Sequence, residues 1–232
     1  MNVESMANSA MRGVIPRVAG KWRADLVAFA SILTICNLPL LLGRSTSSLS
    51  FQSDAVAGGE WWRLLSHPFV HVSWYHLLLD GTAFFSLYLS LLPGQPWRRL
   101  LCVVASAAGS LLMAVWFSPL IATHGLCGLS GVAHGLMAAS ALETLGESGV
   151  DRDSRKIAAA SLLVVIGKCV FEFIMGTPFF AILHFGLLGT PIVECHAGGV
   201  VGGIAALLLS RRNGTSSKTS HTKGGLQTDP IG

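Results

Sequence analysis

The stretch HGLCGLSGVAHG, His124–Gly135, places a serine between glycines inside an apolar segment. His134 follows Ser130 by four residues, so the two side chains would share one face of a helix. A packed membrane helix needs no such polar groups, and polar side chains at membrane depth usually bond between helices or line a cavity. The interpretation of this stretch therefore depends on whether the chain crosses a membrane.

The composition is typical of an integral membrane protein. Of the 232 residues, 51% are hydrophobic and 12% are charged, and the mean hydropathy of +0.59 is too high for an ordinary soluble domain. Six apolar runs have roughly the length that crosses a hydrocarbon core of about 30 Å, at residues 26–43, 75–93, 100–121, 125–145, 157–176 and 195–210. We predict an all-α membrane protein with a six-span domain at 25–210, a cytoplasmic tail at 1–24 and a disordered cytoplasmic tail at 211–232.

The basic residues predict the orientation of the chain. With the N-terminus inside, 13 of the 16 Lys and Arg residues fall in cytoplasmic segments and two in outer segments, which is the bias of plasma-membrane proteins. Both termini are then cytoplasmic, and spans two, four and six begin at the outer face of the cell inner (plasma) membrane. This topology brings the polar segments HVSWYHLLLD (71–80), His124–Gly135 and ECHAGGVVGG (194–203) to one depth near the periplasmic face.

Ser130 is a candidate nucleophile. Gly128 and Gly131 carry no side chain to block an approaching peptide, and they allow a backbone that points the serine N–H at a substrate. A tight contact between small residues of two helices would explain the same pattern without chemistry. His196 is the candidate base, because the glycines that follow it at spacings of three and four would let span six pack against span four and approach Ser130.

His76 and Asp80 stand one helical turn apart at the outer end of span two and would therefore point into the same site. They could support an oxyanion, or they could form a simple hydrogen-bonded pair at a helix end.

Seven of the eight histidines lie in or beside spans or outer loops, so a transport path or a metal site competes with catalysis. No HExxH motif supports a metal site, and we predict no metal, no cofactor and no nucleic-acid partner. The five cysteines lack CxxC spacing and are expected to pack as small hydrophobic residues.

Together these segments resemble the rhomboid family of intramembrane serine proteases. The similarity covers GEWWRLLSHPFVHVSWYHLLLD (59–80), GLSGVAHG (128–135) and CHAGGVVGG (195–203). It implies a rhomboid-like six-helix bundle in which Ser130 is the nucleophile and His196 the general base. It also places His76 and Asp80 where the family has an oxyanion-binding His and Asn. In the first loop, Trp62-Arg63 and His71 match a Trp-Arg motif and a structural histidine.

Two positions depart from the family pattern. Asp80 replaces the Asn, and an ionised carboxylate there would oppose an oxyanion unless it is protonated by burial or paired with His76. His134 stands where many rhomboid proteins have a Tyr beneath the catalytic imidazole, and a His there can still pack on His196.

The segments GLSGVAHGLMAASALE (128–143) and GKCVFEF (167–173) resemble the rhombosortase subgroup, which is associated with substrates that carry a Gly-Gly C-terminal sorting tail. Lys168 and Glu172, four residues apart, are expected to form an internal ion pair.

We expect a Ser130–His196 dyad that cleaves transmembrane or C-terminally anchored proteins in the bilayer near the outer face. A third carboxylate is not required, and Glu194 is interpreted as a solvated loop charge. The apolar loop 178–193 is a candidate gate. The alternatives are a catalytically inactive, client-binding rhomboid-like protein and a histidine-lined transporter.

Overall fold

The computed structural model describes residues 19–91 and 96–216, so most of both predicted tails lies outside the described residues. The helices are α1 (Ala19–Leu41), α2 (Ser53–Ala57), α3 (Arg63–Ser66), α4 (Trp74–Ser90), α5 (Pro96–Phe117), α6 (Ile121–His124), α7 (Ser130–Gly146), α8 (Arg152–Met175) and α9 (Glu194–Ser216). Short 3-10 turns cover His67–Phe69 and Ala181–His184. Within the described ranges no strand forms, and Phe51 and Leu126 make one isolated antiparallel bridge.

Among the described residues, three helices are long and apolar enough to cross a membrane, at Ala24–Leu41, Pro96–Phe117 and Arg152–Met175. Large apolar side chains on these helices are exposed at the protein surface, as expected for helices that face hydrocarbon rather than water. Examples are Ile35, Leu41, Val104, Trp116, Leu163 and Ile174. The all-α membrane architecture is therefore confirmed. The helices α4 and α7 have 17 residues each, and α9 carries polar residues at both ends, so the count of six spans stays a prediction.

Local sequence explains where α8 begins and ends. The Asp151 side chain accepts hydrogen bonds from the backbone N–H groups of Asp153 and Ser154 at 3.0 and 2.9 Å, which caps the first turn. At the other end Gly176 adopts a left-handed φ of +65° and its N–H donates to the carbonyl of Glu172 at 2.8 Å. The chain can therefore turn back over Glu172 directly after the helix.

The described chain divides into two compact units, the first comprising residues 19–89, 118–130 and 180–192. In this first unit the loop after α1 is held by buried polar side chains. The Arg63 guanidinium donates to the carbonyls of Ser47 and Ser50 and pairs with Glu60 at 2.7 Å. Asn37 of α1 donates to the Phe69 carbonyl and accepts from the N–H of His71, at 2.8 and 2.9 Å. These bonds fix the segment that leads into α4.

The second unit comprises the described residues 90–91, 96–117, 131–179 and 193–216. Its centre is α9, whose glycines touch two other helices. A Cβ placed on Gly199 or Gly203 would clash with the backbone of Gly131 or Gly135 in α7, and one on Gly198 would clash with Gly109 in α5. The predicted approach of α9 to α7 is therefore present, and α9 makes a second close contact with α5 that the sequence did not indicate.

Candidate active site

Ser130 is the first residue of α7 and is half-buried. The turn that leads into it contains Gly125 at φ +68° and Gly128 at φ +101°, both conformations that residues with a side chain rarely adopt. The N–H of Gly128 donates to the carbonyl of His67 at 3.1 Å, which ties this turn to the loop before α4. Because the first N–H groups of an α-helix have no partner within the helix, this position suits a nucleophile beside oxyanion donors.

His76 and Asp80 lie in the same unit as Ser130 and are buried. His76 Nε2 is 3.2 Å from Asp80 Oδ2, and the fully buried His71 places its Nε2 3.5 Å from the same oxygen. The two imidazole rings meet edge to face with centroids 4.9 Å apart. Asp80 therefore faces two imidazoles, which is the paired arrangement considered above for this residue.

Gly128, in the turn that leads into Ser130, lies next to the side chains of His76 and Asp80. A Cβ on Gly128 would lie 2.8 Å from both His76 Nε2 and Asp80 Oδ2, which is too close for a real carbon atom. The missing side chain therefore lets an imidazole nitrogen approach the backbone two residues before Ser130.

His196 lies in the third position of α9 and is buried. Its Nδ1 is 2.7 Å from Oε2 of Glu172, a carboxylate with no solvent exposure. The Lys168 ammonium contacts Glu172 at 2.7 Å and His134 Nε2 at 2.9 Å, and it lies 3.4 Å from His196 Nδ1. Two residues of α8 thus hold two imidazoles, and the predicted Lys168–Glu172 ion pair is confirmed.

His134 packs flat on His196. The ring centroids are 4.2 Å apart and the planes are inclined by 17°. A histidine therefore occupies the position beneath the imidazole of His196, as the sequence allowed. All four side chains of this cluster belong to the second unit, whereas Ser130 belongs to the first.

The Rhomboid domain family matches residues 58–213, about two thirds of the chain and all of the site residues described above. The chain belongs to the rhomboid family. Rhomboid proteins are generally intramembrane serine proteases that act on transmembrane substrates in a bilayer. No curated protein sequence matches this rhomboid chain.

The spacing of His134, Glu172 and His196 in this rhomboid protein also fits a metal site, because one ligand atom from each lies within 4.8 Å of the others. However, the Lys168 ammonium contacts all three residues. A divalent cation placed among them would be repelled by this charge at close range. The spacing of the three side chains alone therefore does not favour a metal ion over the Lys168 ammonium as the cation that they surround.

The contact between Glu172 and His196 was not predicted from the sequence of this rhomboid protein. The carboxylate considered there was Glu194, which is the first residue of α9 and half-buried. The charged pair Lys168 and Glu172 inside an apolar run indicated that this part of α8 has polar partners. The sequence of the run does not show which face of α8 turns toward α9. The residues are 24 positions apart, so helix periodicity cannot connect them.

Proposed function

We propose that this rhomboid protein is an intramembrane serine endopeptidase in which Ser130 and His196 form the catalytic dyad. The observation that supports the dyad best is the contact between α7 and α9. Gly131, the residue after Ser130, touches Gly199, and His134 stacks on His196. The helix that begins with the serine is therefore packed directly against the helix that carries the histidine.

In the proposed reaction, Ser130 Oγ attacks the scissile carbonyl carbon and its proton passes to His196 Nε2. The tetrahedral intermediate collapses when the imidazolium gives this proton to the leaving amine. A water molecule then attacks the acyl-enzyme, with His196 again taking and returning the proton. The bond between Ser130 Oγ and the acyl carbon forms in the first half-reaction, in which the peptide C–N bond breaks. It breaks in the second half-reaction, in which the water oxygen bonds to the same carbon, and no cofactor takes part.

The oxyanion would be held by the Ser130 backbone N–H and by His76. The approach of His76 Nε2 to Gly128 supports this role. Asp80 Oδ2 lies 3.2 Å from the same Nε2 of His76, so Asp80 shares this single N–H with the oxyanion and does not itself donate to the oxyanion. Gly128, which lacks a side chain, leaves room for His76 Nε2 beside the backbone. His134 supports the imidazole of His196 by stacking.

The substrate is proposed to be a transmembrane or C-terminally anchored protein that is cut near the outer membrane face. His76, Ser130 and His196 each stand in the first turn of their own helix. If α4, α7 and α9 are spans two, four and six, these helices run in the same direction across the membrane, and their first turns face the same side. The bias of Lys and Arg makes that side the outer face of the plasma membrane. The rhombosortase-like segments suggest a Gly-Gly sorting tail as the substrate.

The test is labelling of the detergent-purified protein with a fluorophosphonate, which reacts with activated serines. We expect labelling of the parent and none of Ser130→Ala, with His196→Ala reduced to background. Each variant should keep the melting temperature of the parent to within a few degrees. A folded parent that is not labelled would instead support the client-binding alternative.

A further inference from the structure

We propose that Glu172 is a positioning residue for His196, so that this rhomboid protein operates a Ser130–His196–Glu172 triad rather than a dyad alone. This inference rests on the proposed function of Ser130 and His196. The starting observation is the distance of 2.7 Å between His196 Nδ1 and Glu172 Oε2, with the carboxylate fully buried. A short contact between a carboxylate and an imidazole is the strongest kind of hydrogen bond available to a histidine.

The contact between His196 Nδ1 and Glu172 determines which nitrogen of His196 acts as the general base. A carboxylate can only accept, so Nδ1 carries the hydrogen that Glu172 accepts, and Nε2 is the basic nitrogen. When Nε2 takes the serine proton, the imidazole becomes a cation whose charge the adjacent carboxylate stabilises. Glu172 remains ionised throughout, because the proton moves only between Ser130, His196 and the leaving group.

Glu172 is itself fixed by groups from different parts of the chain. Its Oε1 accepts the backbone N–H of Phe179 at 2.9 Å and contacts Lys168 Nζ at 2.7 Å, while Oε2 accepts from Lys168 at 2.8 Å as well as from His196. A carboxylate with donors on both oxygens cannot easily rotate. Its direction, and with it the orientation of the imidazole, is therefore set before a substrate arrives.

An ion pair with Lys168 is the simpler explanation for a buried Glu172, because an unpaired charge in a membrane helix is costly. Lys168 alone would satisfy that need, since the two residues are one turn apart on α8. The bond to His196, 24 residues away on another helix, is additional. Lys168 also lies 2.9 Å from Nε2 of His134, the ring stacked on His196.

The deciding experiment compares Glu172→Gln with the double variant Glu172→Gln/Lys168→Met. Glu172→Gln keeps the size of the side chain but removes its charge, and it leaves Lys168 without a carboxylate. The double variant removes both charges and therefore the cost of an unpaired lysine. If Glu172 only neutralises Lys168, the double variant should regain the parent's activity and stability.

For a positioning role we expect the double variant to recover the parent's melting temperature. Its rate of fluorophosphonate labelling should stay up to about 10⁴-fold lower, the loss caused by replacing the carboxylate of a serine-protease triad with an amide. With a peptide substrate, kcat should fall while KM changes little. Glu172→Asp, which keeps the carboxylate, should recover part of the lost rate. A double variant that labels as fast as the parent would overturn the proposal.

The controls separate this inference from the proposed function. Labelling of the parent that disappears in Ser130→Ala but persists undiminished in both Glu172 variants would leave the dyad standing and remove the triad. A parent that is labelled no faster than Ser130→Ala would refute the proposed function itself. Zinc that co-purifies in stoichiometric amounts, with labelling lost in EDTA, would overturn the triad in favour of a metal site at His134, Glu172 and His196.

Discussion

Asp80 is the residue at which this chain departs most clearly from an uncharged oxyanion site. Asp80 faces His76 and His71 at 3.2 and 3.5 Å, so its charge is partnered by two imidazoles before any oxyanion forms. The sequence alone left the protonated and paired states of Asp80 open, because the position of His71 relative to α4 depends on the loop held by Asn37. The burial of His71 against Asp80 is a property of that loop, not of a local pattern.

At this residue scale we predict that His76→Ala lowers kcat by about 10²- to 10³-fold with a small change in KM, which is the usual effect of losing one oxyanion donor. Asp80→Asn should stay within about tenfold of the parent, because the amide removes the negative charge that opposes an oxyanion and competes for the Nε2–H of His76. Peptide cleavage kinetics in detergent measure both effects. His124→Ala, at an exposed histidine six residues before Ser130, is the matched control and should cleave at the parent's rate. Equal rates for His76→Ala and His124→Ala would contradict the oxyanion role.

His67 predicts how stability depends on pH. Burial lowers the pKa of His67 to about 4, although its Nδ1–H donates to the carbonyls of Arg63 and Leu64. An unfolded chain takes up this proton near pH 6.5, whereas the folded chain takes it up only near pH 4. Stability is therefore complete above about pH 6.5 and falls as the pH drops from 6.5 to 4, by about 3 kcal/mol in total.

We accordingly expect the melting temperature in detergent to fall between pH 7.5 and pH 5, and His67→Gln to show a shallower fall. The comparison is made within each variant, so a general loss of stability in His67→Gln does not affect it. An identical pH dependence in the parent and in His67→Gln would show that burial of this histidine does not control stability.

The helices α7 and α9 show how far elements could be predicted. The apolar run at 125–145 becomes a helix only from Ser130, because Gly125 and Gly128 take positive φ values and Leu126 pairs with Phe51. The glycines of α9 predicted its approach to α7. They could not identify α5 as the second partner, since a spacing of three and four residues creates two smooth faces without naming the helices that cover them.

This packing predicts opposite effects for two substitutions within helices. A Cβ on Gly203 would lie 2.7 and 2.9 Å from the backbone carbons of Gly135, whereas a Cβ on Gly167 of α8 meets no atom within 4 Å. Gly203→Ala should cost about 1–3 kcal/mol through overpacking and lower the melting temperature by several degrees. Gly167→Ala should leave it unchanged or raise it, because alanine favours a helix by up to about 1 kcal/mol. Equal melting temperatures for the two variants would contradict the close contact of α9 with α7.

In the whole molecule, the side of the membrane on which both termini lie determines which membrane face the proposed site is near. Thirteen cytoplasmic basic residues against two outer ones predict that residue 232 and the loop at 147–151 lie inside, whereas the loop at 178–193 lies outside. Fusions of green fluorescent protein at residue 232 should fluoresce, because this protein folds in the cytoplasm. Fusions of alkaline phosphatase after residue 189 should be active, because this enzyme needs the periplasm. The reverse pattern would move the proposed site to the cytoplasmic face.

The choice of substrate is the last property that belongs to the whole molecule, because it combines the depth of the site with its shape. The segments 128–143 and 167–173 resemble those of rhombosortases, so we expect the residues beside the scissile bond to be small, as in a Gly-Gly sorting tail. A reporter with a Gly-Gly pair at the outer end of a transmembrane segment should be cut at least tenfold faster than the same reporter with Val-Val. Mass spectrometry of the products in liposomes measures the cut site, with Ser130→Ala as the blank. Equal cleavage of both reporters would refute the Gly-Gly preference, whereas cleavage at the cytoplasmic end would refute the proposed depth.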